Sequence, residues 1–459
     1  MIQPYFINLP YQPDAVLDIF TPLSIQSWSM LLHSSESNYS DSCFSILVAN
    51  PIVTLVTQKG MTKICKGTNC EFSDKDPFML VEQQLEKENM SLTIQTNKQF
   101  PFQGGALGLF SYDLARYIEN LPNLAQRDLH IPDMAVGLYC WAIIADHHRC
   151  KLTLISHTDP ATILANLIDT APKPTARFRL HSQWQANMTR AHYGKQFRRI
   201  QQHLQAGDCY QVCFSQRFSA TYSGDEWSVF RYLLAYNRAP FSAFIRLPDQ
   251  ATILSLSPER FLRLRGDVIE SSPIKGTLPR PSIVNASIDR LQATRLATSV
   301  KNRAENIMIV DLLRNDIGRV ALPGSVRVPL LFAIETFPAV YHMISTITAQ
   351  LSPHYSACDL LRACFPGGSI VGAPKVRAMT IIEQLEPHCR SAWSGSIGYL
   401  SCCGTMDMNI AIRTLIIDEN KIYCSVGGGI VADSNEETEY QETLAKVATL
   451  LPLLEQFKA

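Results

Sequence analysis

The sequence predicts an α+β fold in which large, mostly antiparallel sheets form a β-sandwich-like core with helices outside. Three observations carry that expectation. Runs rich in β-branched and aromatic residues, FSILVANPIVTLVT over 44–57 and VGLYCWAIIADHHRCKLTLISH ending at His157, are bounded by Asn, Pro and Asp, as strands and hairpins are. Through the second half, strand and helix patterns are interleaved without a regular βα period. No glycine-rich phosphate loop accompanies them, which argues against a doubly wound sheet.

At 459 residues, 46% hydrophobic and 18% charged, the chain is long enough for one large or two medium domains with extensive cores. Lys+Arg and Asp+Glu both number 41, and no basic run supplies the electrostatics that nucleic acid requires, so nucleic acid is not an expected partner. The start has no basic segment leading into a long apolar stretch, and no segment approaches a membrane span. The expectation is a cytoplasmic protein without a membrane partner. Thirteen cysteines, an odd number, show neither a repeated framework nor finger-like metal spacing, even where Cys209 and Cys213 or Cys402 and Cys403 stand close. They read as reduced thiols.

In FQGGALGLFSYD, Gly104, Gly105 and Gly108 lack dinucleotide-fingerprint spacing and read as close backbone approach in a strand. A polar, Pro- and Ala-containing stretch from Asp159 to Arg177 separates an N-terminal region, 1–175, from a second region, 185–459. The second region opens with a helix near Thr189. Strands follow near 251–256 and 261–270, a long helix over 289–313, a strand–helix passage over 341–364, strands near 396–418 and 421–427, and a closing helix.

The closing segment carries a legible chemical pattern. Ser434 with Glu437 has the form of a capping box, which starts a helix immediately after Ser434. Glu439, Glu442 and Lys446 then share one face, beside an apolar stripe of Leu444, Val447, Leu451 and Leu454. Gly427, Gly428 and Gly429 suit a nest or tight turn that points backbone N–H groups at an anion. The same charges also describe an ordinary solvated helix with an ion pair. Glu305 lies where its helix turns from polar to apolar, and a few carboxylates are what Mg²⁺ takes. Asp311, Arg314 and Asp316 equally describe an ion-pair cluster at a helix end. Lys275, between Pro273 and Gly276-Thr277, sits in a tight connection after a strand, and is a nucleophile only if its pKa falls from about 10.4. His342 on an apolar stretch reads by itself as a core histidine. Glu259, after a proline at a strand end, is placed to be partly desolvated and hold a proton.

Taken in order, SPERF, SPIKGT, AENIMIVDLLRNDIGRV, FPGGSIVGAPKVRAM, GSIGYL, IAIRTL and GGGIVADSNEETEYQET closely resemble the chorismate-utilising enzymes. SWSMLLHSS, PFQGGALGLFSYD and PDMAVGLY resemble the N-terminal region of that family's component I proteins, so the likeness spans nearly the whole chain. It implies the architecture of anthranilate synthase component I. It implies that Glu305 and Glu442 hold Mg²⁺, with Glu439 acting through water. Arg413, Tyr399, Lys446 and the backbone around Gly276, Thr277 and Gly427 to Gly429 would bind the two carboxylates of chorismate. Glu259 would protonate the departing ring hydroxyl, with His342 beside it, while Lys275 adds to the ring and is displaced by ammonia. The product would be 4-amino-4-deoxychorismate, the precursor of 4-aminobenzoate and folate.

The chain has no glutaminase nucleophile elbow, so ammonia would come from a separate glutamine amidotransferase subunit, component II. Gln211 stands where isochorismate and salicylate synthases carry a lysine base, and an amide cannot take a proton from water. Ser272 replaces the family's usual arginine, and Cys213 a frequent asparagine. Leu32, Ser34 and Pro240 match a family pocket for tryptophan, though ordinary core and turn describe them equally. Two other readings stand beside amination: anthranilate synthase component I, which typically has alanine in place of Lys275, and a catalytically weakened chorismate-binding subunit, suggested by Ser272.

Overall fold

Strands such as Met134–Tyr139 and Trp141–Asp146 are buried at every position, the environment that near-continuous apolar runs require. A computed structural model describes residues 4–34, 44–90, 99–169, 176–280, 286–336 and 340–458. It is an α+β fold of two large sheets, one of 13 strands and one of 12, built from antiparallel ladders. Met30, Ile46 and Ile144 of the first sheet meet Leu107, Leu109 and Ala135 of the second in one apolar cluster. Helices pack outside, as Arg190–Gln205 does by burying Tyr193, Phe197, Ile200 and Leu204 along one face. Among the described residues no helix is long and apolar enough to cross a membrane.

The regions 1–175 and 185–459 do not own separate sheets. Met30–His33 pairs with Phe241–Arg246, Leu32 opposite Ala243, and Gly105–Phe110 pairs with Ser396–Ser401. Of the polar stretch between them, Pro160–Asp169 is a helix and 170–175 lie outside the described residues.

Several local expectations change. The glycine run does not form a nest: Gly427, Gly428 and Gly429 lie in the strand Lys421–Ile430, opposite Ser215, Phe214 and Cys213. The missing side chain still matters at Gly428, where a Cβ would stand 3.3 Å from Glu439 Oε2 and 3.7 Å from Glu442 Oε1. The following helix is Glu436–Val447, capped by Asn435, whose side chain accepts from the N–H groups of Glu437 and Thr438. Ser434 is thereby freed to donate to Glu439 Oε1 at 2.7 Å. The helix expected over 289–313 is two, Ala286–Ala297 and Val300–Gly318, because Ser299 caps the second by accepting from the Asn302 N–H. Lys275 is in a strand, Ile274–Pro279, and not in a loop. The ladder to Val340–Gln350 slips between the pairs Ile274–Ile344 and Thr277–His342, so Lys275 and Gly276 form a bulge, with Gly276 at φ +88°. Cys65 and Cys70 face each other across a hairpin and are joined by a disulfide, which corrects the all-thiol expectation. The other described cysteines are free, and Cys43 lies outside the described residues.

The cluster expected at the end of Val300–Gly318 divides. Arg314 pairs with Asp311 at the surface, whereas Asp316 is wholly buried and meets Lys375 Nζ at 2.6 Å. Lys375 also donates to the carbonyls of Cys364 and Pro366, so one ammonium ties the glycine-rich segment before it to the helix. Lys375→Met leaves buried Asp316 with only the half-exposed Arg319, 3.3 Å away, as a cation, and urea unfolding should show a loss of about 3 kcal/mol. The double variant with Asp316→Asn should recover part of that loss, because the buried charge is gone.

Candidate active site

The bulge at Lys275 turns its side chain toward the segment that Lys375 anchors. Lys275 Nζ donates to the Ser369 carbonyl at 2.7 Å. Glu259 is buried close to the same serine, whose hydroxyl, like the Ile274 N–H, favours its ionised form. Burial raises the Glu259 pKa, and the Ser369 hydroxyl, the Lys275 charge and the Ile274 N–H oppose the rise without cancelling it. This is a carboxyl group disposed to keep a proton, as its place after Pro258 suggested.

His342, opposite Thr277 in the ladder, is buried, with Nδ1 2.8 Å from Thr277 Oγ1. Burial and the Arg413 charge push its pKa down to about 4, so its imidazole is neutral at neutral pH. Arg413 sits on left-handed backbone at φ +49°, and burial lowers its pKa. Among the described residues no side-chain hydrogen bond or ion pair engages its guanidinium, which suits it to an anionic ligand.

A second group gathers where Val300–Gly318 meets Glu436–Val447. Burial raises the Glu305 pKa, opposed by Lys275 and Lys301 and reinforced by Glu439 and Glu442, so the three acids share one field. Glu439, 1% exposed, accepts from Ser434 and from Lys301 Nζ at 3.1 Å; the same ammonium is 3.8 Å from Glu305 Oε1. Burial pushes Glu442 upward, but Lys446, Lys301 and Lys275 outweigh it and hold its pKa below the ordinary range. Lys446 Nζ is 2.7 Å from Glu442 Oε1 and 2.8 Å from the Gly427 carbonyl. Among the described residues no three His, Cys, Asp or Glu converge as a finished metal cage. Carboxylates from two facing helices are nonetheless the oxygen-only donors that a hard divalent cation takes.

Lys275, Glu259, His342, Arg413, Glu305, Glu442, Glu439 and Lys446 thus form one linked neighbourhood, with Gly276, Thr277 and the strand of Gly427 to Gly429 as its walls. Tyr399 is not among them. Its ring packs on Phe102 and lines a different pocket, between the sheets, with Leu32, Ser34 and Pro240. Strand alternation in Ser396–Ser401 turns it that way. Gln211 is buried with its amide against Gly429, and the Ser272 hydroxyl is 3.5 Å from Thr346 Oγ1.

Two residues escaped the sequence reading. Ser369 joins Lys275 to Glu259, and only the folding of FPGGSIVGAPK beneath the bulge reveals it. Lys301 precedes Glu305 by four residues, a same-face spacing that was open to inspection.

A family model described as chorismate binding enzyme matches residues 39–452. The chain is 56% identical over 455 residues to aminodeoxychorismate synthase component 1 of Klebsiella aerogenes, covering 99% of this chain and 100% of that one. Identity to the protein of the same description from Escherichia coli (strain K12) is 54% over 455 residues, with 99% of each covered. The fold matches the crystal structure of anthranilate synthase component I from Streptococcus pneumoniae TIGR4 with a TM-score of 0.78 at 30% identity, covering 91% of this chain and 94% of that one.

The raised pKa of Glu259 has a consequence for stability. Folding is penalised once pH rises above the unfolded carboxylate pKa, and the penalty is complete above the higher folded value. Glu259→Gln should therefore be more stable than the parent at about pH 8 in urea unfolding, with the advantage shrinking toward about pH 4. A gap independent of pH would contradict this.

Proposed function

The chain belongs to the chorismate-binding enzymes, and we propose that its reaction is the Mg²⁺-dependent amination of chorismate to 4-amino-4-deoxychorismate, the step that leads toward 4-aminobenzoate and folate. The observation that carries this reading is Lys275, with its amine held by the Ser369 carbonyl between the acid Glu259 and the carboxylates Glu305 and Glu442.

In this mechanism Arg413 and Lys446 take the substrate carboxylates, an assignment supported by a guanidinium that no described side chain neutralises. Glu305 and Glu442 would hold Mg²⁺, with Glu439 behind them, and the ion would supply positive charge against a substrate carboxylate. Glu259 delivers its proton to the ring hydroxyl as the carbon–oxygen bond breaks and water leaves. Lys275, once it has given up a proton, forms a carbon–nitrogen bond to the ring through the Nζ lone pair as that carbon–oxygen bond breaks. Ammonia then displaces the lysine, which returns to its free amine, and the product carries nitrogen where the hydroxyl was. Neutral His342, held through Thr277, faces the same group as a hydrogen-bonding partner. The Gln211 amide has no basic nitrogen with which to activate water, which favours nitrogen transfer over hydroxylation.

Ammonia would be supplied by a glutamine amidotransferase subunit, in keeping with the component 1 description of the relatives. The separate pocket of Leu32, Ser34, Pro240 and Tyr399 sets apolar walls beside Arg265 and beside Asp407, which Arg260 already pairs, so that Arg265 is the charge open to an amino-acid carboxylate. That chemistry supports tryptophan as its occupant, and added tryptophan should raise the melting temperature of the purified chain. Ser34→Met should abolish the rise by filling the pocket.

The purified chain with Mg²⁺, chorismate and ammonium should form 4-amino-4-deoxychorismate, identified by mass and chromatography. Fluorescent anthranilate with pyruvate would show the anthranilate synthase reaction instead, and failure to turn over would favour a binding subunit. Lys275→Ala should abolish the amination, and Glu259→Gln should lower kcat by roughly 10²–10⁴-fold. Undiminished turnover by the lysine variant would remove its role as nucleophile.

A further inference from the structure

Lys301 has no part in the mechanism above, yet its ammonium stands among the carboxylates assigned to the metal. It lies 3.1 Å from Glu439 Oε1 and 3.8 Å from Glu305 Oε1, so it links Val300–Gly318 to Glu436–Val447. Glu442 has its own cation in Lys446, 2.7 Å away. The carboxylates that would receive a divalent ion are therefore already largely neutralised by lysines. A cation on Glu305 and Glu442, with Glu439 behind them, would bring a second positive charge against the Lys301 ammonium that already bridges Glu305 and Glu439, and the two would repel. Lys301 is the partner able to leave. Its side chain is 44% exposed on a long flexible stem, while Glu439 is 2% exposed and also tied to Ser434.

We propose that Lys301 is the resident counter-ion of this carboxylate cluster and a competitor of the divalent cation, which binds by displacing the ammonium toward solvent. The inference rests on the metal assignment made above. Its functional content is a ceiling on metal affinity in the absence of substrate. A neutral site gains little from Mg²⁺ alone, whereas Mg²⁺ arriving with a dianionic substrate leaves the balance of charge unchanged.

The test is a calorimetric titration of the full chain with MgCl₂, without chorismate, comparing the parent with Lys301→Gln, Lys301→Arg and Arg303→Gln. Arg303 is a cation on the same helix that packs over the Phe332 ring, and its removal controls for a general loss of positive charge. Lys301→Gln should bind Mg²⁺ about five-fold more tightly than the parent, the scale of a half-exposed ion pair. Lys301→Arg and Arg303→Gln should stay near the parent value. Equal or weaker binding by Lys301→Gln, or an equal gain in Arg303→Gln, would overturn the role of Lys301 and leave the metal assignment standing. No Mg²⁺ binding by either the parent or Lys301→Gln would remove both.

Discussion

A buried carboxylate is tolerated only where a cation or several donors stand against it, and the centre of this molecule is organised by that constraint. Glu305, Glu439 and Glu442 converge from two helices, and Lys275, Lys301 and Lys446 converge on them. Glu259 is buried beside the serine, and the Lys275 charge, the serine and a backbone amide offset only part of that cost, so its pKa stays raised. The site is thus a nearly neutral arrangement of opposite charges.

The scaffold serves that arrangement at a distance. The Asp316–Lys375 pair and the carbonyls of Cys364 and Pro366 hold the glycine-rich segment, which offers Ser369 to Lys275 and Glu259. The bulge that slips the ladder between Ile274 and Thr277 is what turns Lys275 toward that serine. Gly428 supplies the third condition, since a Cβ there would stand 3.3 Å from Glu439 Oε2 and press on that carboxylate. Each of these groups decides where a charged side chain of the site stands.

Much of the architecture could be read along the chain because strand and helix patterns are local. The helix from Thr189, the strands of the second half and the shared face of Glu439, Glu442 and Lys446 follow from periodicity and composition. Errors arose where two local signals competed. Ser434 and Asn435 both suit a helix cap, and the serine was drawn away by a carboxylate one turn on. Three adjacent glycines suit a nest, and a partner strand over 211–223 made them a ladder. Cys65 and Cys70 lacked any framework in sequence and met only because a hairpin set them opposite.

The sequence by itself determined the α+β class, the chorismate-binding family and the acids, lysines and histidine that gather at the site, because those properties lie in residue type, spacing and motif order. Tertiary structure alone decided that Tyr399 belongs with Leu32, Ser34 and Pro240, that Ser369 joins Lys275 to Glu259, and that Lys301 stands between Glu305 and Glu439. The reason is the same in each case. The direction of a side chain and the charge it meets depend on strand register and helix packing between segments up to hundreds of residues apart, and no local pattern encodes them.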